Sequence, residues 1–299
     1  MSERTPSRRR RTLLLPALAL TTAATVALTA HLATTGGTAS ANTPNATDAP
    51  SASDGAASPD APTALALPPV GAGFDYQIGG AYTPDDDVEI VIRDHEADPA
   101  PGLYNICYVN AFQVQPGAED EWDDDLLLRD ADGDVVYDGD WGEAVLDIRT
   151  DDRRERIAQR VGTWMESCAD RGYQAVEPDN YDTFFRFDDL LTEDDAVSMI
   201  TLISDRAHAA GLAVAQKNAV ELADRAEEAG LDFAVAEECG QWNECEGYAS
   251  VFDDRVLVVE YSEQGMATAC EGWGDRLSVI RRDLAVSPPG RDGYLRETC

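Results

Sequence analysis

The sequence predicts an α/β fold, a (β/α)8 TIM barrel, and three observations carry that expectation. Eight short apolar runs recur between Phe74 and Arg281, several continuous enough to be parallel strands buried on both faces. Helix-like stretches lie between them, and two of these stop at a glycine. Nearly every run ends in a polar or ionisable residue, as expected where a barrel gathers its active-site groups at the C-terminal ends of its strands.

The first element is not part of the barrel. Arg8–Arg11 precede a mostly apolar stretch from Leu13 to Leu32, and Ala39-Ser40-Ala41 follows as a cleavage site. Residues 1–41 are therefore expected to be a secretory signal, exported by the general or the twin-arginine route, and the mature protein is expected to be secreted. No stable membrane insertion is expected after its removal. Residues 42–70 are rich in Ala, Pro, Ser and Thr with few large apolar groups, so burial cannot offset the entropy of ordering them; a flexible linker is expected. Residues 71–299 form the expected catalytic domain.

The strand candidates are Phe74–Ile78, Val88–Arg93, Leu103–Phe112, Tyr173–Val176, Leu212–Gln216, Phe233–Ala236, Val256–Val259 and Leu277–Arg281. The spacing of Ile157, Val161, Trp164, Met165 and Cys168 predicts a helix over 151–169. Thr192-Glu193-Asp194-Asp195 is a capping-box pattern that opens a second helix, stopped at Gly211. A third is expected over 219–229, ending at Gly230. The stretch from Gln113 to Thr150 breaks the rhythm and is expected to be an extended loop insertion between strands three and four. Its "DADGDVVYDG" lacks the full spacing of a calcium loop and reads better as an Asp-Gly turn.

Composition excludes several classes of function. Lys and Arg number 23 against 57 Asp and Glu, for a formal net charge of -34. Phosphate backbones would be repelled, so no nucleic-acid partner is expected; a cationic partner is favoured. There is no GxGxxG, Walker or GxSxG sequence, and no cofactor is expected. The six cysteines, Cys107, Cys168, Cys239, Cys245, Cys270 and Cys299, are an even set in an exported chain and point to disulfides. Fifteen pairings are open. Cys239 and Cys245 are close enough to staple one loop, Cys270 with Cys299 would tie down the C-terminus, and Cys107 with Cys168 remain. A metal site is disfavoured, because there is no CxxC and only His95 and His208 lie beyond the signal.

The polar strand ends, in order, are Asp94; Asn110; Glu177, Asp179 and Asn180; Lys217 and Asn218; Glu237 and Glu238; Glu260 and Tyr261; and Asp283. Period-two alternation puts Glu177 and Asp179 on one side of their strand, with Asp179 nearer the mouth. Asp179 and Glu237, two strands apart, would face each other across a narrow barrel. Paired carboxylates suit glycosidic hydrolysis: one protonates the leaving oxygen, the other attacks carbon or activates water. Crowded like charges drive their pKa values apart. Lys217, between them in strand order, can bias which stays ionised. Tyr181 and Tyr261 are the expected sugar-stacking rings.

The segments "YQAVEPDNYDTF", "GLAVAQKN", "AVAEECGQWNEC" and "VLVVEYS", with "FDYQIGG", "ICYVNAFQ" and "AVLDIR", resemble glycoside hydrolase family 114 from Phe74 to Arg282. That family is the endo-alpha-1,4-polygalactosaminidases. The resemblance implies a (β/α)8 barrel, catalysis by Asp179 and Glu237, and a sugar site lined by Asp94, Asn180, Asp182, Lys217, Asn218, Glu260 and Tyr261. It implies a polysaccharide substrate, a cationic, partly deacetylated galactosamine polymer, and the chain is expected to act as a monomer. The chain departs from the family at Gln174-Ala175 and at "YVNAFQVQP", a region expected to shape the subsites. The alternatives are a catalytically silent barrel that binds amino-sugar polymers, and a glycosidase for a different glycan.

Overall fold

The computed structural model describes residues 65–299. The expected signal and most of the expected linker lie outside the described residues. The barrel wall opens with β1 (Phe74–Tyr76), β2 (Ile90–Asp94) and β3 (Tyr104–Asn110). An excursion follows, holding β4 (Gln113–Val114), β5 (Tyr137–Asp138) and β6 (Glu143–Val145). The wall resumes with β7 (Ala175–Asp179), β8 (Ala213–Lys217), β9 (Phe233–Glu237), β10 (Val256–Glu260) and β11 (Ser278–Arg282). These eight wall strands pair in parallel in chain order, and each matches one of the eight apolar runs.

A ninth strand, β12 (Arg296–Thr298), runs antiparallel to β11 on the edge that a fully closed ladder would offer to β1. Side chains bridge that seam. Arg282 of β11 pairs with Asp75 at 3.0 Å and donates to the Tyr76 carbonyl, and Arg296 donates to the Phe74 carbonyl at 3.2 Å.

Period-two alternation splits each wall strand between two cores. Phe74, Ile92, Ile106, Phe233, Val235 and Leu257 fill the barrel interior, where small residues on β7 and β8 (Ala175, Ala213, Ala215) face the larger ones. The other face packs under the helices.

The helices are α1 (Asp151–Arg171), α2 (Thr183–Arg186), α3 (Glu193–Ala209), α4 (Ala226–Ala229), α5 (Cys239–Trp242), α6 (Cys245–Ala249) and α7 (Glu263–Trp273). Thr150 caps α1, and Gly172 ends it in the left-handed conformation at φ 94°. The capping box of Thr192 and Asp195 opens α3 as the spacing predicts. The segment expected as one helix over 219–229 is mostly a 3-10 turn, Val220–Arg225, with only its last turn α-helical.

The excursion is more than a loop. Its strands form a separate antiparallel sheet in the order β4-β6-β5. Within it, the Asp130 carboxylate accepts from the N–H groups of Asp132 and Asp134 at 2.9 and 3.0 Å, the Asp-Gly turn the sequence suggests. Disulfides join Cys107 to Cys168, Cys239 to Cys245 and Cys270 to Cys299, tying β3 to α1, α5 to α6, and α7 to the end of the chain. No helix among the described residues is long and apolar enough to cross a membrane.

Candidate active site

The sequence reading ends the fourth wall strand at Val176, but the structure carries β7 on to Asp179. Its acids therefore sit in the wall rather than in a loop beyond it. Ala175 lies in the barrel interior, so alternation turns Glu177 and Asp179 inward as well. Pro178 explains how the strand ends. On the β3 side the register continues to Asn110 and Asp179, whereas on the β8 side it stops at Val176 and Val214. Pro178 has no N–H to donate, so this edge releases β8 one turn of the pleat before the mouth.

Lys217, the last residue of β8, reaches into that opening. Its side chain is only 3% exposed. Its Nζ lies 3.1 Å from Glu177 Oε1, 3.1 Å from Asp179 Oδ1 and 3.4 Å from Glu237 Oε2. It also donates to the Tyr76 hydroxyl at 3.1 Å. Burial alone would lower the Lys217 pKa; Asp179 and Glu237 outweigh it and hold the ammonium well above its ordinary value.

Each of the two candidate catalytic carboxylates is oriented by its own set of donors. Asp179 accepts from the Tyr108 hydroxyl at 2.7 Å and from the Asn180 N–H at 2.8 Å. Burial pushes its pKa up, but Lys217 and these hydrogen bonds outweigh that and hold the carboxyl below its ordinary value. Glu237 accepts from the Tyr261 hydroxyl and, at 2.9 Å, from Asn218 Nδ2. Asn218 Oδ1 in turn accepts the Glu237 N–H at 2.8 Å. Asn180 and Asn218 follow β7 and β8 with φ of 71° and 51°, a left-handed bend that asparagine tolerates better than most residues. The bend after β8 lets Asn218 grip the neighbouring strand end.

The excursion sheet adds a second layer at the rim. Asn110 Nδ2 donates to Glu143 of β6 at 2.9 Å, and Asn110 Oδ1 accepts from Asn180 at 3.0 Å. Arg186 of α2 holds Asn180 at 2.8 Å and Asp182 at 2.9 Å, and pairs with Asp138 of β5. Burial pushes Glu143 up to about 7, against its hydrogen bond from Asn110.

The structure thus brings Asp179, Glu237, Lys217, Asn218, Asn180 and Tyr261 into one cluster, with Asp182 attached through Arg186. Asp94, the last residue of β2, continues the inward phase of Ile90 and Ile92 at the rim, in register with Tyr108, and its carboxylate accepts the Glu96 N–H at 2.8 Å. Two expected residues are placed otherwise. Tyr181 is fully buried in the outer core, stacked edge-on with Phe112 and donating to the Ala215 carbonyl, so its ring offers no face to a sugar. Glu260 follows the inward-facing Val259 and so points away from the barrel. It is fully buried behind β10, where it accepts the Gly240 N–H of α5 at 2.7 Å. Sequence reasoning missed Tyr76, Tyr108, Glu143 and Arg186. The inward phase of Phe74 and Ile106 marks both tyrosines; Glu143 and Arg186 have no local signal.

Comparison with known proteins bears on this site. The model of glycoside-hydrolase family GH114 matches residues 55–299. No curated protein matches the chain. Among solved structures, Ega3 of Aspergillus fumigatus in complex with galactosamine is similar at 23% identity and TM-score 0.65, over 79% of this chain and 98% of that one. The glycoside hydrolase domain of PelA from Pseudomonas aeruginosa is similar at 13% identity and TM-score 0.52, over 77% of this chain and 99% of that one. The match to the family model spans the whole barrel and every residue of the cluster, and the chain belongs to glycoside-hydrolase family GH114.

Proposed function

We propose that the chain is a secreted, endo-acting glycoside hydrolase that cleaves α-1,4 linkages in galactosamine-containing polysaccharide, with Asp179 and Glu237 as its two carboxylates. The observation that carries the reading is Lys217: one buried ammonium touches both acids at the barrel mouth, at 3.1 and 3.4 Å. Asp179, kept ionised, suits the nucleophile. Glu237 suits the acid that protonates the leaving oxygen and then, as a base, activates water.

The substrate class rests on family membership, on the likeness to a protein solved with galactosamine, and on charge. A chain of net charge -34 draws a cationic polymer toward an acidic mouth.

The test is reducing-end release from partly deacetylated α-1,4-galactosaminogalactan by residues 42–299, beside folded Asp179→Asn and Glu237→Gln variants. Both substitutions are expected to cut release by about a thousandfold or more. A folded wild type that binds the polymer but releases nothing would make the barrel a binding module; one that does neither would point to a different glycan.

A further inference from the structure

Beneath the two acids lies a third that the two-carboxylate chemistry does not use. Glu177 is fully buried in the barrel, one inward position below Asp179. Its Oε1 accepts from the Tyr76 hydroxyl at 2.9 Å and meets Lys217 Nζ at 3.1 Å, while its buried Oε2 has no hydrogen-bond partner. A carboxylate with one oxygen unsatisfied in a dry core costs stability unless something holds it there. Lys217 has three hydrogens and four acceptors within 3.4 Å, three of them carboxylates. Charge that the ammonium shares with Glu177 is charge withheld from Asp179 and Glu237.

We propose that Glu177 is a positioning residue that acts through Lys217, its negative charge drawing on the shared ammonium and raising the proton affinity of the Asp179–Glu237 pair as a whole. This rests on the two-carboxylate reading above. The groups that face Glu177 are Tyr76 on β1, Asp179 on its own strand, Tyr181 just beyond that strand, Lys217 on β8, Glu237 on β9 and, beyond β10, Tyr261. Its other neighbour across the ladder, Tyr108 of β3, is bonded to Asp179. Only Lys217 among these is cationic. Burial, opposed by Lys217, pushes Glu177 up to about 7, so its charge arrives near neutral pH. Three carboxylates around one ammonium titrate as a set rather than one by one.

The test is Glu177→Gln, which keeps the shape and removes the charge. The basic limb of the pH profile of kcat/KM should move to lower pH, by about one unit at the effective dielectric of such sites, while the acidic limb, where Glu177 is already neutral, stays in place. Tyr76→Phe leaves every carboxylate in place but removes a hydrogen bond to ionised Glu177, so it should move the basic limb the same way by less. An unmoved basic limb with a lower kcat or a lower melting temperature would overturn the proposal and leave Glu177 a structural residue. Carboxyl-stretch infrared titration needs no substrate and separates this proposal from the one it rests on. If the wild type releases no reducing ends, a lowered midpoint for the remaining carboxyls in Glu177→Gln still supports the coupling. An unchanged midpoint refutes it. The infrared arm also decides the matter if Glu177→Gln proves poorly folded, because Tyr76→Phe can be titrated alongside it.

Discussion

Two buried cations stand at the barrel wall and could hardly be treated more differently. Arg282, at the seam, is fully buried. It donates to three backbone carbonyls, Leu295 at 2.8 Å, Ser287 at 2.9 Å and Tyr76, and pairs closely with the Asp75 carboxylate at 3.0 Å and more distantly with Asp283 at 4.0 Å. Every nitrogen of its fork is committed to a fixed partner, which suits a planar, permanently charged group used as a clasp. Lys217 has three carboxylates and a phenol around one ammonium. The lysine is outnumbered, and the surplus negative charge must be met by protons whose number changes with pH. A balanced buried charge closes a structure, and an unbalanced one makes it reactive.

The sharpest way to break the contrast is to remove each cation. Lys217→Met should leave a folded protein whose three carboxylates take up protons. Asp179 would lose its ionised form at working pH, and reducing-end release should fall by about a thousandfold, read beside circular dichroism. Arg282→Met should do the reverse. It leaves Asp75 buried without its close partner and costs about 3–5 kcal/mol in denaturant titration, with turnover per folded molecule retained.

A third buried charge sharpens the comparison by having no cation at all. Burial pushes Glu260 up to about 7, against the N–H groups of Gly240 and Gln241. Its folded pKa stands above the unfolded value, so the folded state holds the extra proton. Glu260 therefore lowers stability progressively as pH rises from about 4.5 to about 7, and the penalty is complete above that. Glu143 and Glu177 carry the same sign. The melting temperature should fall across that window, and Glu260→Gln should flatten the fall by about 2 kcal/mol.

The smallest effect is expected at the solvated rim. Trp141 lies in the turn between Asp138 and Glu143, both bonded into the mouth, and is 53% exposed. A cationic sugar resting on its face would gain about 0.5–1 kcal/mol, so Trp141→Ala should raise KM for polymer by about two- to fivefold and leave kcat alone.

Much of this was legible in the sequence, and the gaps have physical causes. All eight wall strands show as apolar runs because a parallel strand buried on both faces has little choice of composition. Asp179, Lys217 and Glu237 show because a charge at the end of such a run needs a reason. The same compositional uniformity hid the phase. "VLVVE" gives no alternation to read, so Glu260 looked like a lining residue until Val259 was seen to face inward. Tyr76 and Tyr108 passed as ordinary members of apolar runs, although their hydroxyls orient the acids. The excursion sheet was invisible because strands of two and three residues carry no period. Glu143 is hydrogen-bonded into the site through Asn110, a contact 33 residues distant in sequence.

The seam has a consequence for how the fold withstands proteolysis. A single cut before Arg296 would not release β12, the guanidinium on the Phe74 carbonyl or the cysteine bonded to Cys270, because the Cys270–Cys299 disulfide keeps that end tethered. All three brace the edge next to β1, and β1 carries the tyrosine beneath Lys217. Loosening the floor of the mouth from this side thus needs the disulfide reduced as well as the backbone cut.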